Sequence, residues 1–107
     1  FIDFFNLTHP YVYVLKEGKN AIGYFAFRKV RNNCELDYFA ITKKYQGKGF
    51  GKMLLDKIIL LCEKFKLNKI ELSVRHSNDK AINLYKKYGF EITREDKNKL
   101  FMCKVLG

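Results

Sequence analysis

The sequence predicts one mixed α/β sheet, on three observations. Residues 11–41 hold three short runs rich in β-branched and aromatic residues, separated by turn signals. From residue 50 the apolar residues change to helical spacing. The strand–helix–strand order over residues 34–75 then requires a right-handed parallel crossover. A length of 107 residues fits a single domain, 1–107.

Residues 1–10 are taken as a lead-in that ends at a break, His9-Pro10. Tyr11 to Leu15 is the first expected strand, and Glu17-Gly18-Lys19-Asn20 turns into the second, Ala21 to Arg28. Arg31-Asn32-Asn33 turns the chain again into Cys34 to Ile41. Strict alternation there puts Glu35, Asp37, Phe39 and Ile41 on one face and Cys34, Leu36, Tyr38 and Ala40 on the other. A helix is expected from about Phe50 to Lys66, with Met53, Leu54, Ile58, Leu61 and Phe65 as its apolar stripe. Ile70 to Arg75 is a short strand. Ser77 is placed as the N-cap of a second helix, with Asp79 in its first turn and Gly89 as its C′ stop. Phe90 to Arg94 and Leu100 to Val105 close the sheet around a polar turn.

Composition limits the function classes. Hydrophobic residues make up 48%, with ten Phe and seven Tyr, enough for an aromatic core and too apolar for disorder. Net charge is +10, from 21 Lys and Arg against 11 Asp and Glu. Such a charge favours anionic partners: phosphate-bearing cofactors, acidic proteins or nucleic acid. The lysines are spread along the chain, with no basic run and no zinc-finger or RNA-binding signature, so nucleic acid is not expected. Cys34, Cys62 and Cys103 form no CxxC pair, so neither a metal site nor a disulfide framework is indicated; Cys62 is placed in the core, and a cytoplasmic, reducing compartment is expected. No apolar run has membrane-spanning length. FIDFFNL has no basic start and is not a signal peptide. The chain does not begin with Met, so truncation stays open, as does oligomeric state.

The segment Gln46-Gly47-Lys48-Gly49-Phe50-Gly51 places three of the seven glycines between a strand and a helix. A helix start offers free N–H groups and a positive dipole end, and glycines let an anion approach. Lys48 and Lys52 add charge. A P-loop and a dinucleotide fingerprint both fail on spacing, and Arg75 stands where the latter needs an acid. A phosphate cradle and a tight turn without a ligand both remain open on this segment alone.

With the elements around it, the segment resembles the GNAT family of acetyl-CoA-dependent N-acetyltransferases. Gln46, Gly49 and Gly51 match its Gln/Arg-x-x-Gly-x-Gly/Ala signature, after a strand ending in Ala40-Ile41. A second block, Val74 to Phe90, is similar to that of the RimI-like branch, which acetylates protein N-termini. The resemblance covers residues 11–105 and implies a GNAT-like fold whose opening strand and helices are missing or shortened.

It implies that the backbone of Gln46, Gly47, Lys48, Gly49, Phe50, Gly51 and Lys52 binds the pyrophosphate of acetyl-CoA. It implies that Phe39-Ala40-Ile41 pairs with the pantetheine arm and polarises the thioester carbonyl, in a gap where two parallel strands splay apart. Asn78 would contact the cofactor. Tyr85, two turns further along the same helix face, would also contact it and protonate the leaving thiolate. No metal is implied. The base is less defined. The RimI-like branch has a Glu just before the Val-Arg pair, and here that residue is Ser73. Glu71, on the same strand face, and Glu35, at the position of the catalytic Glu in the histone-acetylating branch, are the candidates. Asp37 shares the face of Glu35. His76 is read as loop, and His9 has no supporting motif. The implied acceptor is a primary amine, on a protein or peptide N-terminus or lysine, with net charge hinting at an acidic partner. A small-molecule amine acetyltransferase and a non-catalytic CoA-binding module are the alternatives.

Overall fold

The computed structural model describes residues 1–8 and 11–107; the expected break at His9-Pro10 lies outside the described residues. The elements are β1 (Ile2–Thr8), β2 (Val12–Glu17), β3 (Asn20–Val30), β4 (Asn33–Ile41), α1 (Phe50–Lys64), β5 (Lys69–Arg75), α2 (Asp79–Lys87), β6 (Glu91–Glu95) and β7 (Lys99–Val105). One sheet joins the strands in the order β1-β2-β3-β4-β5-β7-β6. Every neighbouring pair is antiparallel except β4 and β5, the predicted parallel crossover. No helix among the described residues is long and apolar enough to cross a membrane.

Residues 2–8, expected as a lead-in, are a strand. Phe4 lies opposite Leu15 and meets Phe25 edge-on at 6.3 Å, so the segment has both a ladder partner and a packing partner. β1 is an edge strand, and Phe5 and Leu7 are exposed on it.

Both helices lie on one face of the sheet. Lys57 of α1 sits over the rings of Phe4 and Tyr13, and Tyr85 of α2 meets Phe39 of β4 edge-on. The core between sheet and helices includes Leu15, Phe25, Leu54, Ile58, Ile70 and Met102, all essentially buried. Each such side chain stabilises the fold by about 1.5–3 kcal/mol. Cys62 is fully buried here, as expected. The apolar stripe of α1 is turned by one residue from the expected one. Leu54, Leu55, Ile58, Leu61 and Cys62 are buried, while Met53 and Phe65 are partly exposed. Phe65 lies past the last helical turn, where it meets Tyr11 edge-on.

β4 departs from strict alternation. Ala26 lies opposite Tyr38 and Phe27 opposite Leu36, so Asp37 has no residue opposite it. This β-bulge reverses the parity of the residues after Asp37. Cys34 and Leu36 share a face as expected, and it is the one toward the helices; Phe39 and Ile41 join them there, while Tyr38 is exposed.

The N-cap of α2 is Asn78, not Ser77: its Oδ1 accepts from the N–H of Ala81 at 3.3 Å. Gly89 stops α2 with a left-handed φ of +89°, as expected. Beyond α1 the equivalent left-handed residue is Lys66, φ +57°, whose carbonyl accepts from Asn32 Nδ2. Tyr88, at the end of α2, ties the two helices together. Its hydroxyl donates to Asp56 Oδ1 at 2.8 Å and lies 3.2 Å from the Lys52 carbonyl.

These helix ends can be tested by stability. Lys66→Gly removes the Cβ from a left-handed position and should stabilise by about 0.5–1 kcal/mol, raising Tm by about 4 °C in thermal denaturation. Partial burial and then the Asp56 carboxylate push the Tyr88 hydroxyl up to about 12. Its folded pKa lies above the ordinary value near 10. The protonated form's stabilisation is therefore complete below about pH 10 and lost as pH rises toward 12. Denaturant midpoints should fall across that window in the wild type and fall less in Tyr88→Phe.

Candidate functional site

The sheet opens where its one parallel pair ends. β4 and β5 share only two register pairs, Cys34 with Ile70 and Glu35 with Glu71. Beyond them β4 stays with β3 and β5 stays with β7. The rest of β4 therefore has an unpaired edge toward β5. Two cavities lie along it.

The first, about 460 Å³, lies at the C-terminal end of β4. Its lining brings together Phe39, Ala40, Ile41, Gln46, Gly47, Gly49, Phe50, Gly51, Asn78 and Tyr85 of the residues singled out from sequence. Lys48 and Lys52 do not line it; both are exposed, and Lys80 is the lysine in the lining. The three glycines have different reasons. Gly47 and Gly49 have φ of +76° and +86°, with open space where a Cβ would stand. Gly49 is also the N-cap of α1 and makes no side-chain cap, and the first turn holds no acidic residue. The first N–H groups of α1 are thus left without a side-chain acceptor, in a form suited to an anion. Gly51 has ordinary φ, but a Cβ there would stand 3.0 Å from Leu84 Cδ2, so it also serves helix packing.

The loop before α1 is braced from three directions. Gln46 Nε2 donates to the Ile41 carbonyl at 3.0 Å, so its side chain holds the strand end while its backbone turns into the loop. Thr42 Oγ1 donates to the carbonyls of Ala21 and Ile22. Tyr45, buried and edge-on to Phe50, donates its hydroxyl to Glu17 at 3.1 Å. Gly23 completes the brace: a Cβ there would lie 2.6 Å from the Ala40 carbonyl oxygen. Thr42, Tyr45 and Gly23 were not singled out from sequence. The signal for Gly23 was present, since a lone glycine inside a strand marks close backbone approach.

Tyr85 is 5% exposed, and burial pushes its hydroxyl well above the ordinary range. It is therefore a protonated donor at neutral pH, with no protein hydrogen-bond partner among the described residues. Asn78, by contrast, uses its side-chain oxygen to cap α2.

The second cavity, about 360 Å³, sits at the fork itself and is lined by Glu35, Asp37, Glu71, Ser73 and Arg94 among others. The two candidate bases are thus direct neighbours across β4 and β5. Their surroundings differ. Glu35 Oε2 is 3.2 Å from Arg28, which also holds Asp37 at 2.7 Å. Glu71 is met by Lys69 at 4.0 Å, with both side chains well exposed. No group of three or more His, Cys, Asp or Glu side chains is arranged to hold a metal ion among the described residues. His76 lines neither cavity and is 3.0 Å from the Asp96 carbonyl, in keeping with a loop role.

Comparison with known proteins agrees with this geometry. The chain is 46% identical over 61 residues to a probable spermine N(1)-acetyltransferase of Bacillus subtilis subsp. natto, covering 56% of this chain and 40% of the relative. It is 30% identical over 87 residues to a putative [ribosomal protein bS18]-alanine N-acetyltransferase of Bacillus subtilis, covering 79% and 58%. The chain thus spans about half the length of these relatives. The fold superposes on Ard1 from Thermoplasma volcanium with a TM-score of 0.82 at 27% identity, covering 89% of this chain and 70% of that one. The profile of the Acetyltransferase (GNAT) family matches residues 1–90, and the chain belongs to that family.

Proposed function

We propose that the protein is an N-acetyltransferase that uses acetyl-CoA and a primary amine, with both substrates held along the unpaired edge of β4. The observation that carries this is the two-pair β4–β5 ladder with a cavity on either side of its divergence. Acetyl-CoA supplies the acetyl group as a thioester. The left-handed glycines and open first turn of α1 suit its pyrophosphate. The unpaired β4 backbone at residues 39–41 offers N–H to the thioester carbonyl, a kind of stabilisation commonly worth about 3–4 kcal/mol. Tyr85 donates a hydrogen bond to the departing sulfur. Its raised pKa makes outright proton loss to a thiolate, near 8.5 by analogy with cysteine, unfavourable, so sharing a proton is the role it fills.

The attacking amine must be neutral. An α-amine, with pKa about 7.7–8.0, needs little help near pH 7, whereas a lysine amine near 10.4 needs much more. Glu71 is the better-placed base, directly or through water, because Arg28 occupies an oxygen of Glu35. An α-amine acceptor accords with the bS18-alanine relative. The three carboxylates at the fork favour a second reading, a polyamine acceptor, as the name of the spermine relative suggests. Both are cationic acceptors, whereas overall charge alone pointed to an acidic partner.

The decisive experiment is titration with acetyl-CoA followed by thiol release with peptides, butylamine and spermine. Binding without release across all of them would favour a non-catalytic module. Glu71→Gln should lower kcat about 100-fold with a lysine-type amine such as butylamine and less with α-amines, and Glu35→Gln should cost less in each case; the opposite order of the two variants would move the base to Glu35. Tyr85→Phe should lower turnover with acetyl-CoA affinity nearly unchanged, as measured by calorimetry. Equal turnover would remove Tyr85 from the mechanism.

A further inference from the structure

The fork cavity contains an ion pair that acetyl transfer does not require. Glu35, Asp37 and Glu71 line it. Arg94 lines it too, with its guanidinium 3.9 Å over the Phe101 ring. Lys69 reaches Glu71 only at the edge of ion-pair range, 4.0 Å. Arg28, on β3, is not in the lining, yet it pairs with two of the cavity's three carboxylates. Its Nε is 2.7 Å from Asp37 Oδ2, and its Nη2 is 3.1 Å from Asp37 Oδ1 and 3.2 Å from Glu35 Oε2. Both oxygens of Asp37 and one of Glu35 are therefore engaged by a single planar cation. Such a fork-on-carboxylate contact is strong and geometrically specific. Asp37 is the residue left without an opposite number on β3, on the same face as Glu35. The Arg28 side chain is 62% exposed, so it fills no core volume.

We propose that Arg28 sets the charge class of the acceptor. It stands where the second ammonium of a diamine or polyamine would bind Asp37 and Glu35, and it leaves Glu71 to receive one amine. Arg28's role rests on acetyl transfer at this site, and it decides between the two acceptor classes. The cavity of the wild type then takes amines that bring one positive charge to the fork. Without the guanidinium, the same three carboxylates would form a site for several.

The test compares butylamine, putrescine and spermine on the wild type, Arg28→Gln and the double variant Arg28→Gln/Asp37→Asn. Binding is read by calorimetry and transfer by thiol release. Arg28→Gln should raise the affinity for putrescine and spermine relative to butylamine about tenfold at low salt, less at high salt. The double variant removes the opposed pair and should return the ratio to within about twofold of wild type, an outcome that mere loss of structure would not give. An unchanged ratio in Arg28→Gln overturns the proposal. So does a wild type that already binds spermine about tenfold more tightly than butylamine, or a double variant that fails to restore the ratio. Failure of thiol release with every amine would count against acetyl transfer, while the binding ratios would still decide the role of Arg28.

Discussion

β4 and β5 share a ladder for two residue pairs and then part, each keeping its other neighbour. β5 continues with β7 through seven register pairs, from Lys69–Val105 to Arg75–Lys99. β4 continues with β3 to Gly23–Ile41. Between them the backbone N–H and C=O groups of β4 face a gap instead of a strand. Unpaired backbone groups away from water are costly, so a gap inside a sheet persists only where solvent or a ligand completes it. The features of the site depend on that gap. It places the glycine loop at the end of β4, Tyr85 against Phe39 beside it, and Glu35 against Glu71 at its apex.

The bulge at Asp37 adds a second consequence. One extra residue turns Phe39 and Ile41 toward the helices, where Phe39 meets Tyr85, while Asp37 stays on the face of Glu35 beside Arg28. The bulge thus lets one strand put its carboxylates on one face and Phe39 and Ile41 on the other. A regular strand would have put Phe39 on the carboxylate face and Tyr38 against α2. The bracing of the strand end fits this view. Gln46, Thr42 and Gly23 all act on residues 40–42, the stretch whose position the bulge has determined.

Much of the fold was legible in the sequence, because periodicity reports which face is buried and glycine reports where the chain turns. α1, α2, β5 and the parallel crossover arise from local pattern. So does the core position of Cys62. The bulge did not, because alternation is written in residue types, and Asp37-Tyr38 satisfies either parity. β1 was missed for a related reason: an edge strand has one partner and little burial, so its pattern is weak. Ser77 and Asn78 are both good caps by type, and only the backbone shows which one reaches the N–H of Ala81. In the site, the glycine turn into α1 was readable because its signal is local. The Glu35–Glu71 pairing and the Arg28 contacts depend on register between strands, which no single segment encodes.

That distinction also separates the two roles of charge. The net charge of +10 is a property of the whole surface. It acts at long range, where it favours the approach of anions. At physiological salt its reach is cut to about 8 Å, so the choice of a second substrate falls to the groups within a few ångströms of the fork. There the sequence of β4 gathers two carboxylates and β5 adds a third, against the sign of the molecule as a whole. For the proposed reaction, a basic surface around an acidic fork would suit one chain to attract an anionic donor and still accept a cationic amine. In the proposed reaction both substrates need this arrangement, because they must lie along the same few residues of β4 at once.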